Sequence, residues 1–190
     1  MNKFLKSGPA LLLLACAYVP CARAQEAAAP KGGEVVRARR VAADASGEEV
    51  EALRAKAEAA SNPSERARLR LSLAEALAEG GSREEAAALV RALISEERFD
   101  PQLFYNAGNA LARLGESEAA AEAYRKAVAR DGFLEEAHRG LMRSHVALGE
   151  RGRAIRHYEE LVELLDEQLG ASPAPETSAL HERLRAGEEL

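Results

Sequence analysis

Three stretches of this chain share one skeleton: AEGGSREEAAALVRALI at 78–94, ARLGESEAAAEAYRKAV at 112–128 and VALGERGRAIRHYEELV at 146–162. Each lies 34 residues from the next. Gly81, Gly115 and Gly149 fall in register, followed by Ala86, Ala120 and Ala154, then Val90, Tyr124 and Tyr158, then Leu93, Ala127 and Leu161. Upstream of each glycine, Leu73, Ala107 and Leu141 align, as do Leu77, Leu111 and His145. A fixed period of this length marks a repeat protein. Each unit is one supersecondary element that cannot bury its apolar face alone, so neighbours must stack to make a continuous core.

Each register position has a physical task. A glycine just past a helix end adopts the left-handed conformation that stops the helix at little cost. Ser82 with Glu85 has the pattern of a capping box for the next helix, and Ser117 is placed to cap its counterpart. The alanine that follows lets two helices approach closely. The bulky residue four positions on fills the gap between adjacent hairpins. Asp100-Pro101 reads as a helix start, with Asp as N-cap and Pro at the first helical position. The composition agrees: 47% of the 190 residues are apolar, only 4% are aromatic, there is no Trp and 14 are Gly. Most of the apolar content is Ala and Leu, which favour helix, while β-branched residues are scarce.

The skeleton resembles the tetratricopeptide repeat (TPR), a helix-turn-helix unit of 34 residues. Phe104, Gly108, Ala120, Tyr124 and Ala127 stand at the family's signature positions. The resemblance implies an all-α fold, a right-handed superhelix of antiparallel helical hairpins, with units at 67–100, 101–134 and 135–168. The first unit has Arg70 and Val90 where the family prefers aromatics, and the third has His138, Met142 and His145 on its first helix. Gly47, Ala52 and Ala59 continue the register upstream, so a capping helix is expected over 48–60, ending at SNPS. The stretch 137–187 is also similar to the end of the bacterial transcriptional activator domain, through Leu169-Gly170, Pro173, Pro175-Glu176, Leu180 and Leu184. That similarity implies a last helix, 175–186, closing the open end of the stack over a domain spanning 47–187.

Residues 1–24 read differently. Lys3 and Lys6 precede the apolar run ALLLLACAYV at 10–19, Pro20 breaks it, and ARA at 22–24 supplies small residues for a signal peptidase. A secretory signal peptide cleaved after Ala24 is expected, and the chain is then periplasmic or secreted. The run is too short for an ordinary membrane-spanning helix. The alternative is LLAC at 13–16, which resembles a lipobox and would anchor a lipoprotein at Cys16. Both cysteines, Cys16 and Cys21, lie in this segment, so cleavage after Ala24 leaves no thiol or disulfide. It also leaves 23 basic against 31 acidic residues, a net charge of −8, which argues against nucleic acid and anionic membrane as partners. Residues 25–46 mix Ala, Gly, Pro and charge, with Arg37, Arg39 and Arg40 clustered, and read as a flexible tether.

The TPR resemblance implies that the first helix of each unit lines a concave face, offering Glu75, Tyr105, Asn106, Asn109, Arg113, Arg139 and Arg143. Asn pairs with backbone amides, Arg grips carboxylates and Tyr adds area at low entropic cost. The expectation is a groove between 101–114 and 134–147 that binds a peptide or protein segment of acidic character. Its leading residues are Arg139 and Arg143, one turn apart and facing Asn109. The five-residue Lys-Asn-Asn-Lys-Arg carboxylate clamp of some TPR domains is absent: Leu71, Glu75, Asn106, Glu136 and Gly140 stand at its positions.

Nothing in the sequence points to catalysis, a cofactor or a metal. There is no phosphate-binding glycine loop, HExxH or nucleophile elbow. His138, Met142 and His145 share a helix face but lack a third strong ligand and are expected in the core, with His157 at the surface and His181 on the last helix. The functional expectation is an exported, non-catalytic scaffold. Alternatives are a lipid-anchored envelope component, a regulatory module of the transcriptional-activator type, and homo-oligomerisation through an exposed end of the stack.

Overall fold

Helix boundaries follow local chemistry. The computed structural model describes residues 47–96 and 100–189; the expected signal peptide, lipobox cysteine and tether lie outside the described residues. Those described form eight helices and no strand: α1 (47–59), α2 (Pro63–Glu79), α3 (Arg83–Ser95), α4 (Pro101–Leu114), α5 (Ser117–Arg130), α6 (Glu135–Ala147), α7 (Arg151–Leu169) and α8 (Pro175–Ala186). Asp100 caps α4 by accepting a hydrogen bond from the Leu103 amide at 2.7 Å, with Pro101 at the first position. The same device starts α2: Asn62 accepts from the amides of Ser64 and Glu65 at 2.8 and 3.3 Å, and Pro63 follows. The first helix of the first hairpin therefore begins four residues ahead of the expected unit start at 67.

The period is visible atom by atom in the turns. Gly81, Gly115 and Gly149 have φ of 90°, 84° and 76°. Beside each, an amide reaches back five residues: Ser82 to the Leu77 carbonyl at 2.8 Å, Glu116 to Leu111 at 3.0 Å and Glu150 to His145 at 2.8 Å. These bonds satisfy carbonyls that the helix end leaves free. The expected capping box does not form, however. Ser82 has ψ of 53° and makes no side-chain cap bond, and Glu85 instead pairs with Arg54 of α1 at 3.0 Å. Ser117 is the first residue inside α5 rather than its cap. The tight glycine turn leaves the cap residue out of the extended conformation in which a hydroxyl reaches the next amides.

Hairpins α2–α3, α4–α5 and α6–α7 stack side by side. The first helices also touch across units, α2 with α4, α4 with α6 and α6 with α8, whereas no comparable contact joins α3 to α5 or α5 to α7. The first helices thus form the inner layer of a curved stack, an all-α solenoid. Ala86, Ala120 and Ala154 are each 0% exposed and occupy equivalent helix crossings. Phe104, Leu111, Val90 and Leu93 fill the space between them. A smaller cluster of Met142, Ala154, Leu180 and Leu184 joins the third hairpin to α8.

Candidate protein-binding face

Tyr124 organises the inner face. Its ring lies between two helices that come close only because each carries glycine at the contact: a Cβ on Gly108 would stand 2.6 Å from the ring, and one on Gly140 2.5 Å. The hydroxyl emerges between α4 and α6 and donates to Asn109 Oδ1 at 2.7 Å. Tyr105 leans against the ring with centroids 6.1 Å apart and planes tilted by 48°. Burial pushes the Tyr124 pKa up to about 12, the neighbouring Tyr105 adds to this, and the charges of Arg143 and Arg113 oppose it. Both guanidiniums therefore act on this phenol.

The remaining expected residues are arranged unequally. Asn106 is exposed and accepts from Gln102 at 3.1 Å, one turn away on α4. Arg113 reaches across to α2 and pairs with Glu75. Arg68, Ser72, Glu75, Gln102, Asn106, Asn109 and Arg113 line a cleft of about 460 Å³ between α2 and α4. Arg143 is exposed and makes no ion pair among the described residues. Arg139 does not join it. Its side chain is only 16% exposed, donates to Thr177 Oγ1 of α8 at 2.9 Å and lies 3.8 Å from Glu136. The expected Arg139/Arg143 pair is thus divided by α8, which lies over the inner side of α6.

Four polar links hold α8 there. Glu135 receives the Ala174 amide at 2.9 and 3.1 Å. Arg139 meets Thr177, which is 0% exposed, Tyr158 donates to Ser178 at 3.3 Å, and Arg151 donates to the Leu184 and Glu188 carbonyls at 3.0 Å each. The His181 ring stacks on Tyr158 at 3.9 Å. Sequence reasoning missed Gly140 and Thr177. Gly140 carried a signal, as a glycine inside a helix needs a packing reason; Thr177 carried none.

Comparison with known proteins agrees with this geometry. Residues 98–185 match the family model of the bacterial transcriptional activator domain. Among solved structures, the crystal structure of nearly identical TPR-like repeats of a putative kinesin light chain from Podosopora anserina superposes with a TM-score of 0.51 at 18% identity, over 83% of this chain and 96% of that one. This chain is a TPR-like repeat protein. Its activator-domain-like region spans the second and third hairpins and α8. The crystal structure of MamA is also similar, with a TM-score of 0.47 at 18% identity over 83% and 95% of the two chains. No curated protein sequence matches significantly.

The TPR-like stack also gathers histidines between α6 and α7. His138, 3% exposed, faces the Gly132 carbonyl through Nε2 at 3.0 Å and His157 Nε2 through Nδ1 at 2.9 Å. Since a carbonyl only accepts, His138 carries its proton on Nε2, and His157 donates to the free Nδ1. His157 is thus not at the surface as expected: its side chain is 16% exposed and stacked on His138 with centroids 4.9 Å apart. Burial, then the His138 and His145 charges, bring His157 down to about 4, and burial also lowers His138. His145 contacts Glu150 at 2.9 Å. Among the described residues, no three His, Cys, Asp or Glu side chains are placed to hold a metal, and no helix is long and apolar enough to cross a membrane.

Proposed function

We propose that this TPR-like protein is a non-catalytic interaction module that holds an acidic protein segment on its inner face between α4 and α6. The observation carrying this reading is Arg143, exposed and without an ion pair among the described residues, beside the Tyr124–Asn109 pair. Tyr124 has committed its proton to Asn109 Oδ1, so the Asn109 amide group remains as a donor. Arg143, Asn109 and the half-buried Tyr105 together offer donors and a flat apolar surface, suited to a carboxylate carried on a peptide. Arg113 adds charge at the edge. Export through residues 1–24 is part of the proposal and rests on the sequence of that segment.

Peptide display on the protein, counter-selected on an Arg143→Glu/Asn109→Ala variant, tests the reading. Sequences enriched in Asp and Glu that lose at least tenfold in affinity for the variant support it. Peptides that bind both forms alike overturn it. N-terminal sequencing of cell-envelope protein separates a chain beginning at Gln25 from an acylated one beginning at Cys16. The activator-domain match over 98–185 favours a second reading, a regulatory module working beside a transcriptional regulator. That reading requires protein retained in the cytoplasm, so fractionation decides between the two.

A further inference from the structure

α1 continues the register of the second helices, yet one face of it has no partner. Ala52, Lys56 and Ala59 stand where α3 has Ala86, Val90 and Leu93, and where α5 has Ala120, Tyr124 and Ala127. In α3 and α5 these six positions are 0–3% exposed, because the first helix of the same hairpin and its neighbour cover them. In α1 all three are exposed. The opposite side of α1 is seated: Ala57 and Ala60 are buried, Val50 and Leu53 pack on the main core, and Arg54 pairs with Glu85 of α3.

We propose that this face is the second half of a fourth, N-terminal hairpin, and that its occupant is the segment of the same chain just before it, residues 33–46. In the complete hairpins, two or three residues separate the first helix from the second, as at 80–82, 115–116 and 148–150. A partner ending at residue 46, next to Gly47 at the start of α1, is delivered to this face by the same connection. The segment GEVVRARRVAADAS equals α4 in length, and Val35, Ala38, Ala42 and Ala45 recur at spacings of three, four and three, the interval of one helix face. Small residues on both sides allow the close approach that Ala86 and Ala120 permit elsewhere. Charge selects the same occupant. α1 exposes Glu48, Glu49, Glu51 and Glu58, and only Glu51 has an ion partner among the described residues, while the segment carries Arg37, Arg39 and Arg40. A second copy of α1 would set these acids against one another.

The test is the labelling rate of a single cysteine in the full chain with Cys16→Ser and Cys21→Ser. Ala52→Cys reports the face, and Ala171→Cys, in the exposed connection before α8, is the reference. The proposal expects residue 52 to react at least tenfold more slowly than residue 171. Deletion of 33–46, or Arg37→Glu with Arg39→Glu and Arg40→Glu, then raises its rate to that of the reference. Equal rates in the full chain overturn the proposal. So does protection that survives the deletion or grows with protein concentration, since the face then belongs to another molecule. The peptide-binding face between α4 and α6 is untouched by these variants, so neither outcome bears on it.

Discussion

Alanine in place of Gly140 is the sharpest test of how the hairpins fit. On an open helix this change gains about 0.5–1 kcal/mol, because glycine loses more backbone freedom on folding. Here the new methyl would lie 2.5 Å from Cε1 and Cζ of Tyr124, whereas carbon atoms rest about 3.5–4.0 Å apart. The ring must retreat by about 1 Å, and it has nowhere to go: on its other side a Cβ at Gly108 would stand only 2.6 Å away, so that helix is already in contact. Overpacking a filled core costs about 1–3 kcal/mol. Net of the helix gain, Gly140→Ala and Gly108→Ala should each lose about 1–2 kcal/mol, lowering Tm by about 3–6 °C for a domain of this size. Gly152→Ala is the control. Its methyl would meet only the end of Arg156 at 3.9 Å, so it should stabilise by up to about 1 kcal/mol. Urea unfolding followed by helical circular dichroism gives all three values, and a Tyr124→Leu background supplies the cycle. With the ring gone, Gly140→Ala should become neutral or favourable. Were Gly140→Ala to stabilise like Gly152→Ala, or to keep its cost without Tyr124, the steric account would be wrong.

Three further outcomes follow from the geometry. His138 and His157 are held neutral in the fold with lowered pKa values, so their contribution is full above the unfolded value of 6.5 and is lost as pH falls through the folded values, near 4 for His157. The urea midpoint should therefore fall between pH 6.5 and 4, with His157 accounting for about 1 kcal/mol at pH 5, and His157→Gln should flatten that slope. Asp100→Ala removes the α4 cap at Leu103 and should cost about 1 kcal/mol, seen as a lower Tm. Thr177→Val leaves Arg139 without its α8 acceptor and should speed hydrogen exchange in α8 well before the rest of the chain, with a global loss of about 1 kcal/mol.

What was legible in the sequence, and what was not, divides by range. The turn glycines, the crossing alanines and the Asp100-Pro101 start act through local backbone preference and through spacing, both of which a sequence displays directly. Their structural counterparts, the positive φ values and the recurring bonds from residues 82, 116 and 150, repeat every 34 residues as the sequence does. The capping box failed because its local logic met a longer-range competitor: Glu85 lies within reach of Arg54, 31 residues earlier in the chain. Arg139 failed for the same kind of reason. Its position on α6 is that of a groove residue, but Thr177, 38 residues away, takes its guanidinium, and no helical spacing encodes that contact. His157 was misplaced because its partner His138 sits on the preceding helix, in a pairing set by how α7 crosses α6.

With Arg139 held under α8, the ability to attract an acidic segment rests on Arg143 and Arg113, and these two differ. Arg143 is uncommitted, while Arg113 is bridged to Glu75 across the space between α2 and α4. An incoming carboxylate has to compete with Glu75 for Arg113, and exposed pairs of this kind are worth about 0–1 kcal/mol. Glu75→Gln keeps the shape and removes the competing charge. It should tighten binding of an acidic peptide about two- to fivefold and steepen the salt dependence, as one more cation becomes available to the ligand. Isothermal titration at low and physiological salt with a display-selected peptide reads both effects. If affinity is unchanged by Glu75→Gln but collapses with Arg143→Glu, the acidic segment lies between α4 and α6 and stops short of the α2 cleft. If neither change matters, the positive charge of the inner face serves the stack and not a ligand.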